Sequence, residues 1–481
     1  MVACGAVWAE QPAVPEEFTV DDVSRLALAR NLNVSVLRID RDIRREDIRI
    51  ARSPYDTTLS VLGEYEIDET QPSSTIFGSR TVHGALRTTI EQLLPMGTRL
   101  ALTHSASRES TQSPFSSLSR YYEGSGGVSV TQPVFRNAFG LIDRGQLKLV
   151  KLDVARFDFA TQDRIEAEVF GARQEYWELV FADQDLAAKR GALSQAEDFL
   201  RAMREKRVLG LAEEQDVLAA EANVRLRVLD VLEAETALEG SRDRLRTLLD
   251  LPEGLAAAPA DQPVFEEIAV SVEESLARAL VNRRDLRQLA LETDRADLET
   301  ILARSGLQPQ LDLEAAYRSN GLDRELFDAQ GKIGGGNHPT TFAGFTFSVP
   351  LENRKAKAQY RQAKLQERRV ELLERELRLR IEQEIRDAVR ALRLAAERVR
   401  QTREVAALQQ RKLTQESRAF RLGRSDSRTV IDYQEDVIDS DAALARALVG
   451  YRLAQDTLWR AEHRLMEAAG LFDADIAAQA E

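Results

Sequence analysis

The chain has 481 residues, of which 43% are hydrophobic, 30% are charged and only 6% are aromatic. This composition is typical of an ordered protein built from long helices with solvated faces. A formal net charge of -13 argues against a nucleic-acid partner, because phosphates would be repelled. One cysteine and four scattered histidines exclude a disulfide framework and a structural zinc site, so we expect neither a metal nor another cofactor.

Residues 1–17 are interpreted as an N-terminal tail that carries the end of an export signal. The tripeptide at 7–9 (VWA) is of the cleavage type, while the segment that ends at Cys4 also resembles the end of a lipoprotein signal. Cleavage after Ala9 is preferred, and lipidation of Cys4 is the alternative. No uncharged apolar run approaches the ~20 residues of a spanning helix, so strands must make any membrane crossing.

The first half of the chain begins with a helical pattern from 18 to 51, capped at 19–22 (TVDD). Apolar and polar residues then alternate over 59–68 and again over 128–134, which predicts two strands with one apolar and one polar face. Between them, apolar segments at 85–94 and 99–106 flank the turn signal PMGT at 95–98. An additional hairpin is therefore predicted there.

A long helical pattern follows from 139 to about 203. At about 1.5 Å per residue it is on the order of 95 Å long, so it needs partner helices along its whole length. It stops at a glycine-centred segment, 206–216 (KRVLGLAEEQD), and a returning helix runs from 213 to 249. We interpret the break as the tip of a helical hairpin, with an acidic residue three positions after the glycine as N-cap or first-turn residue.

The second half repeats this order. Residues 271–274 (SVEE) fall on 19–22, and 344–351 (GFTFSVPL) fall on 127–134 (GVSVTQPV), including the terminating proline. A second long helix from 353 to 418 ends at a second tip, 419–432, centred on Gly423. The sequence therefore predicts a tandem duplication, with repeats at 18–254 and 271–470, a linker at 255–270 and a tail at 471–481.

No feature of the sequence predicts catalysis, so we expect that the protein is not an enzyme. Adjacent acidic residues such as Glu213 and Glu214 point about 100° apart on a helix, and no partner base is evident. The glycine run at 334–336 lacks the lysine and the helix of a phosphate cradle.

Two interpretations of the strands remain open on the residues alone. A four-stranded sheet leaves two unpaired edges that lipid does not tolerate, so a membrane-spanning sheet would have to be closed by several copies of the chain. Otherwise the strands belong to small β domains of a soluble structural coiled-coil scaffold.

The order of strand, proline, long helix and glycine tip resembles the TolC-like outer-membrane efflux family. The residues that carry the resemblance are 127–134 and 344–351, the tips at 208–217 and 421–434, and the tandem halves. The resemblance implies an α+β membrane protein, in which a homotrimer closes a twelve-stranded transmembrane β-barrel that periplasmic coiled-coil hairpins continue. It also implies a passive exit duct in outer-membrane lipid, coupled to a periplasmic adaptor and to an inner-membrane pump or ABC transporter. The additional hairpin at 85–106 departs from the family's four strands per copy.

The resemblance and the tip sequences together assign candidate site residues. Pro133 and Pro350 mark the strand-to-helix transitions. Apolar residues beside the two tip glycines are expected to dock the adaptor; with the glycines they are Val208, Leu209, Gly210, Leu211, Leu422 and Gly423.

A gate is expected where the returning helices begin. The family's acidic ring falls six and nine residues past the tip glycine, and here those positions are Thr429 and Asp432. Arg428, Asp432 and Glu435 are spaced to share one helix face. Asp216 resembles the family's acidic residue that ties neighbouring hairpins together. The position of its usual basic partner is Ser425, so Arg424 or Arg428 would have to replace it.

Overall fold

The computed structural model describes residues 17–70, 80–112, 116–252, 258–336 and 338–471. Cys4, the N-terminal tail up to residue 16, the start of the linker at 253–257 and the C-terminal tail from 472 lie outside these residues. The elements in chain order are β1 (Glu17–Phe18), α1 (Val20–Arg30), α2 (Leu32–Arg52), β2 (Thr58–Asp68), β3 (Thr81–Leu93), β4 (Arg99–Thr111), β5 (Arg120–Pro133), α3 (Leu141–Val208), α4 (Glu214–Leu249), β6 (Ala258–Pro259), α5 (Val272–Asn282), α6 (Arg284–Ser305), β7 (Gln310–Asp323), α7 (Leu326–Gly335), β8 (Pro339–Ser348), α8 (Arg354–Arg421), α9 (Ser427–Ala461) and α10 (Leu465–Ala468).

These elements form two compact units. The helical unit comprises the described parts of residues 1–41, 158–287 and 374–481, and the sheet unit those of 42–157 and 288–373. Each unit therefore takes segments from both predicted repeats. No described helix is long and apolar enough to cross a membrane.

The sheet unit contains six strands in the order β2-β3-β4-β5-β7-β8, and all neighbours are antiparallel. The predicted hairpin at 95–98 is confirmed as the connection between β3 and β4, where Leu94 N–H donates to the Thr98 carbonyl over 2.8 Å. The resemblance implies four strands per copy, and this number is wrong for this chain. The hairpin adds two strands to the first half.

The strand register separates the two faces of the sheet. One row across five strands joins Leu59, Ile90, Leu102, Val128 and Tyr317, and all five side chains are exposed. The next row, on the opposite face, contains small and polar residues: Ser60, Thr89, Thr103, Gly127, Arg318 and Thr340. We call these the apolar face and the polar face.

The polar face is concave. A cavity of about 540 Å³ is lined by polar-face side chains from β2 to β7, including Glu64, Arg87, Ser107, Glu123 and Asn320. Because one cavity touches residues of five strands, the sheet curves around it. The apolar face is consequently the convex, outward one.

In the helical unit, α3 with α4 and α8 with α9 form the two predicted hairpins. One core of the unit contains Tyr176 and Leu245, and a second contains Ile381 and Tyr451. Nearer the tips, the rings of Phe199 on α3 and Phe420 on α8 lie 5.5 Å apart. These contacts supply the partner helices that the length of α3 requires.

A buried ion pair joins α3 to α9. Arg173 Nη2 lies 2.8 Å from Asp456 Oδ1, and Nε donates to Oδ2 over 3.0 Å. The two side chains are only 4% and 3% exposed. A further contact from Arg173 Nη1 reaches Ser24 Oγ at 3.2 Å. The same Nη1 lies 3.4 Å from Oδ1 of Asp21, whose side chain is half-exposed. The Arg173–Asp456 pair is therefore buried, with a second carboxylate at its solvent side.

Replacing Asp456 by Ala should lower the free energy of unfolding by about 3 kcal/mol, because the buried guanidinium loses its two-point partner and keeps only the 3.4 Å contact with the half-exposed Asp21. The matched control is Glu374→Ala, which removes the exposed ion pair with Arg378 and should cost less than about 1 kcal/mol. The denaturant midpoint of the helical circular dichroism signal reports both changes. Equal losses in the two variants would contradict the role of the buried pair.

Candidate functional site: the hairpin tips

The two tips have the same backbone geometry. Gly210 has a φ of 73° and Gly423 a φ of 69°, in the left-handed region that glycine adopts without steric cost. At the first tip, Leu211 N–H donates to the Lys206 carbonyl over 2.8 Å. At the second, Arg424 N–H donates to the Ala419 carbonyl over 3.0 Å. This six-to-one hydrogen bond is the Schellman ending of a helix, so each glycine terminates a long helix.

An acidic residue three positions after each glycine starts the returning helix, as the sequence predicts. Glu213 is the N-cap of α4, and Asp426 is the N-cap of α9. The Asp426 carboxylate accepts a hydrogen bond from Thr429 N–H over 2.8 Å. This backbone donor lowers the pKa of Asp426 below its usual value, so the cap is charged at neutral pH.

The predicted docking residues project from both tips. Val208 is 85% exposed, Leu209 71%, Leu211 72% and Leu422 64%. The core of the first hairpin ends before them, at Met203 and Val217. These apolar side chains therefore do not cover the hairpin's own core.

Asp216 connects the two tips through a hydroxyl group. Its Oδ1 accepts a hydrogen bond from Ser427 Oγ over 2.6 Å, and its Oδ2 accepts one from Glu213 N–H over 3.0 Å. Within the chain its partner at the second tip is thus Ser427 and neither of the two arginines expected from sequence. No pattern in the sequence singled out Ser427, because a serine beside an N-cap usually bonds within its own helix.

The predicted gate residues Arg428, Asp432 and Glu435 are all exposed on the first turns of α9. A carboxylate oxygen of Glu435 lies 3.8 Å from Arg227 Nη2 on α4. Arg227 also donates to Asp230 Oδ2 over 2.9 Å. Because Glu435 has a cationic neighbour, Asp432 is the stronger source of unpaired negative charge on this face.

A second cation lies close to the gate residues. Lys412 Nζ on α8 lies 2.7 Å from Asp436 Oδ2 and 3.7 Å from the centre of the Tyr433 ring. Sequence reasoning missed both Lys412 and Arg227, since each lies on a different helix from the acidic residue it contacts.

Among the ranges that the structure describes, no three histidine, cysteine, aspartate or glutamate side chains are placed to hold a metal ion. The strand-to-helix prolines keep their predicted places, with Pro133 as the last residue of β5 and Pro350 between β8 and α8.

Comparison with known proteins gives one family and a consistent fold. Residues 276–470 match the model of the family described as outer membrane efflux protein. No curated protein matches the chain by sequence. Similar solved structures include the CmeC outer membrane channel of Campylobacter jejuni, with 14% identity, a TM-score of 0.68, and coverage of 95% of this chain and 90% of that one.

Two further channels are comparably similar. The open state of the Neisseria gonorrhoeae MtrE outer membrane channel has 14% identity and a TM-score of 0.68, covering 93% of this chain and 89% of that one. The outer membrane protein VceC of Vibrio cholerae has 13% identity and a TM-score of 0.65, covering 94% and 96%. At these identities the likeness shows the fold. The resemblance to the outer-membrane efflux proteins is thereby confirmed, by the family model for residues 276–470 and by the shared fold over 93–95% of the chain.

Proposed function

We propose that this chain is a passive outer-membrane exit duct of a tripartite efflux pump or of a type I secretion system. The observation that carries the proposal is the two-faced sheet, whose convex face exposes a row of apolar side chains across five strands while its concave face is polar. Strands that alternate in this way separate lipid from a water-filled lumen. In a soluble coiled-coil scaffold the same apolar row would be exposed to water, which soluble proteins rarely tolerate. The soluble scaffold is therefore the less favoured alternative.

Closure of the sheet requires other copies of the chain. The strands alternate in direction, so β2 and β8 at the two edges are antiparallel to each other. The β8 edge of one copy can therefore pair antiparallel with the β2 edge of the next. Three copies, each with six strands, give an eighteen-stranded barrel. Barrels of this size enclose an aqueous channel, and closure leaves no edge exposed to lipid.

Exposed leucines along the helices support the homotrimer. Leu365, Leu372 and Leu379 repeat at seven-residue spacing on α8, and all three are exposed. On α2, Leu32, Val36, Ile39 and Ile43 are exposed at spacings of four, three and four. Such stripes are the seams of coiled coils. Neighbouring copies would cover them.

In this assembly the helices extend into the periplasm, and the tips face the partners. The exposed apolar residues at Gly210 and Gly423 would bind the helical hairpins of a periplasmic adaptor. Energy for transport would come from an inner-membrane pump or ABC transporter, as the resemblance to the outer-membrane efflux family implies.

If the protein is a homotrimer, its mass in detergent should be three times that of one chain. Purified in detergent, the protein should give three copies by native mass spectrometry and by cross-linking, because a single copy leaves both sheet edges unpaired. A stable monomer in detergent-free buffer would contradict the proposal and favour the soluble scaffold.

If the exposed apolar residues at the tips bind the adaptor, charges placed on them should stop export and leave the trimer intact. Leu209→Glu combined with Leu422→Glu places charges on two exposed tip residues without changing the glycine turns, and should abolish export. Arg201→Glu, an exposed change on α3, is the matched control. Export by cells and the trimer mass are measured together. Undiminished export in the double variant would exclude the tips as the docking surface.

If Asp432 lines the gate, the channel should be selective for cations. Three copies of Asp432 around a threefold axis would attract cations, whereas the charge of Glu435 is partly offset by Arg227. In planar bilayers, Asp432→Ala should lower the cation-to-anion permeability ratio and weaken block by multivalent cations. Glu376→Ala, which removes an exposed carboxylate in the middle of α8, is the control and should change neither quantity. An unchanged permeability ratio in Asp432→Ala would place Asp432 outside the lumen.

A further inference from the structure

A short helix, α7, lies on the apolar, convex face of the sheet. It connects β7 to β8 and packs against β5 and β7 over glycines. A Cβ at Gly321 would overlap the Ala329 carbonyl oxygen, and one at Gly124 or Gly126 would lie 3.1 Å or less from side-chain atoms of α7. Ala329 is fully buried in this contact. The glycines therefore form the seat of the helix.

Polar contacts fix α7 in that seat. Ser319 Oγ donates to the Ile333 carbonyl over 2.7 Å. Lys332 Nζ donates to the Leu322 carbonyl over 2.8 Å and lies 2.6 Å from Asp323 Oδ2. The single lysine of the helix is thus tied to the end of β7.

The outermost stripe of α7 carries no charge, while the exposed Asp328 lies on the flank of that stripe. Phe327 is 87% exposed, more than the aromatic side chains of Phe345 and Tyr65 on the sheet. Gly331 and Gly334 follow it at four and seven residues, which places them on the same helical stripe. The stripe is therefore one aromatic ring followed by bare backbone, and it continues the apolar face of the sheet.

The position of α7 along the strands is also defined. β5 ends at Pro133 and β8 ends just before Pro350, both at the strand-to-helix transitions. α7 follows the opposite end of β7, at Asp323. In the proposed barrel that end is the external rim, at the level of the outer leaflet.

We propose that α7 is an interfacial anchor that inserts Phe327 into the outer leaflet of the outer membrane. The proposal rests on the proposed function, because it needs the convex face to meet lipid. The two charges of α7, the exposed Asp328 and the Lys332 that Asp323 holds, lie on one flank of the uncharged stripe. A helix with its charges to one side of an apolar stripe suits the boundary between headgroups and acyl chains. Its occupant is lipid, since the stripe is continuous with the lipid-facing row of the sheet.

Site-directed spin labelling tests the proposal on the full chain. Cys4 is the sole cysteine, so Cys4→Ser provides the background. Phe327→Cys, labelled with a nitroxide and reconstituted into phospholipid vesicles, should be more accessible to oxygen, which partitions into lipid, than to a water-soluble nickel chelate. We expect an oxygen-to-nickel accessibility ratio several-fold above that of Ser107→Cys, which lines the concave cavity.

A label at Phe345→Cys separates this proposal from the proposed function. Phe345 is exposed on the apolar face of β8, away from α7. If residue 345 contacts lipid and residue 327 contacts water, the anchor is wrong and the barrel stands. If residue 345 contacts water, the barrel itself is wrong, and the anchor with it. A label at 327 that neither reagent reaches would mean burial against protein and would also overturn the anchor.

The glycine seat gives a second measurement. Gly321→Ala should displace α7, so the label at residue 327 becomes more mobile in its electron paramagnetic resonance spectrum. Gly63→Ala is the matched control, because its Cβ would meet only the Leu86 side chain at 4.0 Å. No change in mobility in Gly321→Ala would show that α7 does not depend on this seat.

Discussion

The alternation of apolar and polar side chains along six paired strands is the feature on which the rest of the structure depends. Antiparallel pairing aligns the alternation into rows, so that Leu59, Ile90 and Val128 share the convex face while Ser60 and Thr89 share the concave one. A slip of one residue in any pair would exchange the two faces of that strand. The two edges of the sheet are unpaired within one copy, and in the proposed barrel neighbouring copies pair them.

The long helices α3 and α8, of 68 residues each, need partner helices to be stable. Each is paired with a returning helix, and a left-handed glycine at Gly210 or Gly423 ends it where the chain reverses. The buried pair of Arg173 and Asp456 then joins the first hairpin to the second. Because a desolvated ion pair tolerates few alternative partners, it favours one arrangement of the hairpins over others.

The tips combine a rigid backbone with an exposed apolar surface. Schellman hydrogen bonds and acidic N-caps fix the turns, so the orientation of Leu209 and Leu422 does not depend on contacts of their own. A surface of this kind is suited to a partner that supplies the missing apolar cover. Beside it, the hydrogen bond between Ser427 and Asp216 connects the two tips.

The sequence by itself determined the elements that have local causes. Period-two alternation located the strands, PMGT located the additional hairpin, and glycine followed by an acid three residues later located both tips, because turn and cap chemistry acts over a few residues. The motif order also led to the resemblance that the family model confirms for residues 276–470. Only the tertiary structure decided which polar and charged residues meet, such as Glu435 with Arg227 and Asp216 with Ser427, because these partners are more than 200 residues apart. The seat of α7 on Gly124 and Gly321 was likewise beyond sequence reasoning, since a glycine in a strand indicates a close approach but does not say which segment approaches.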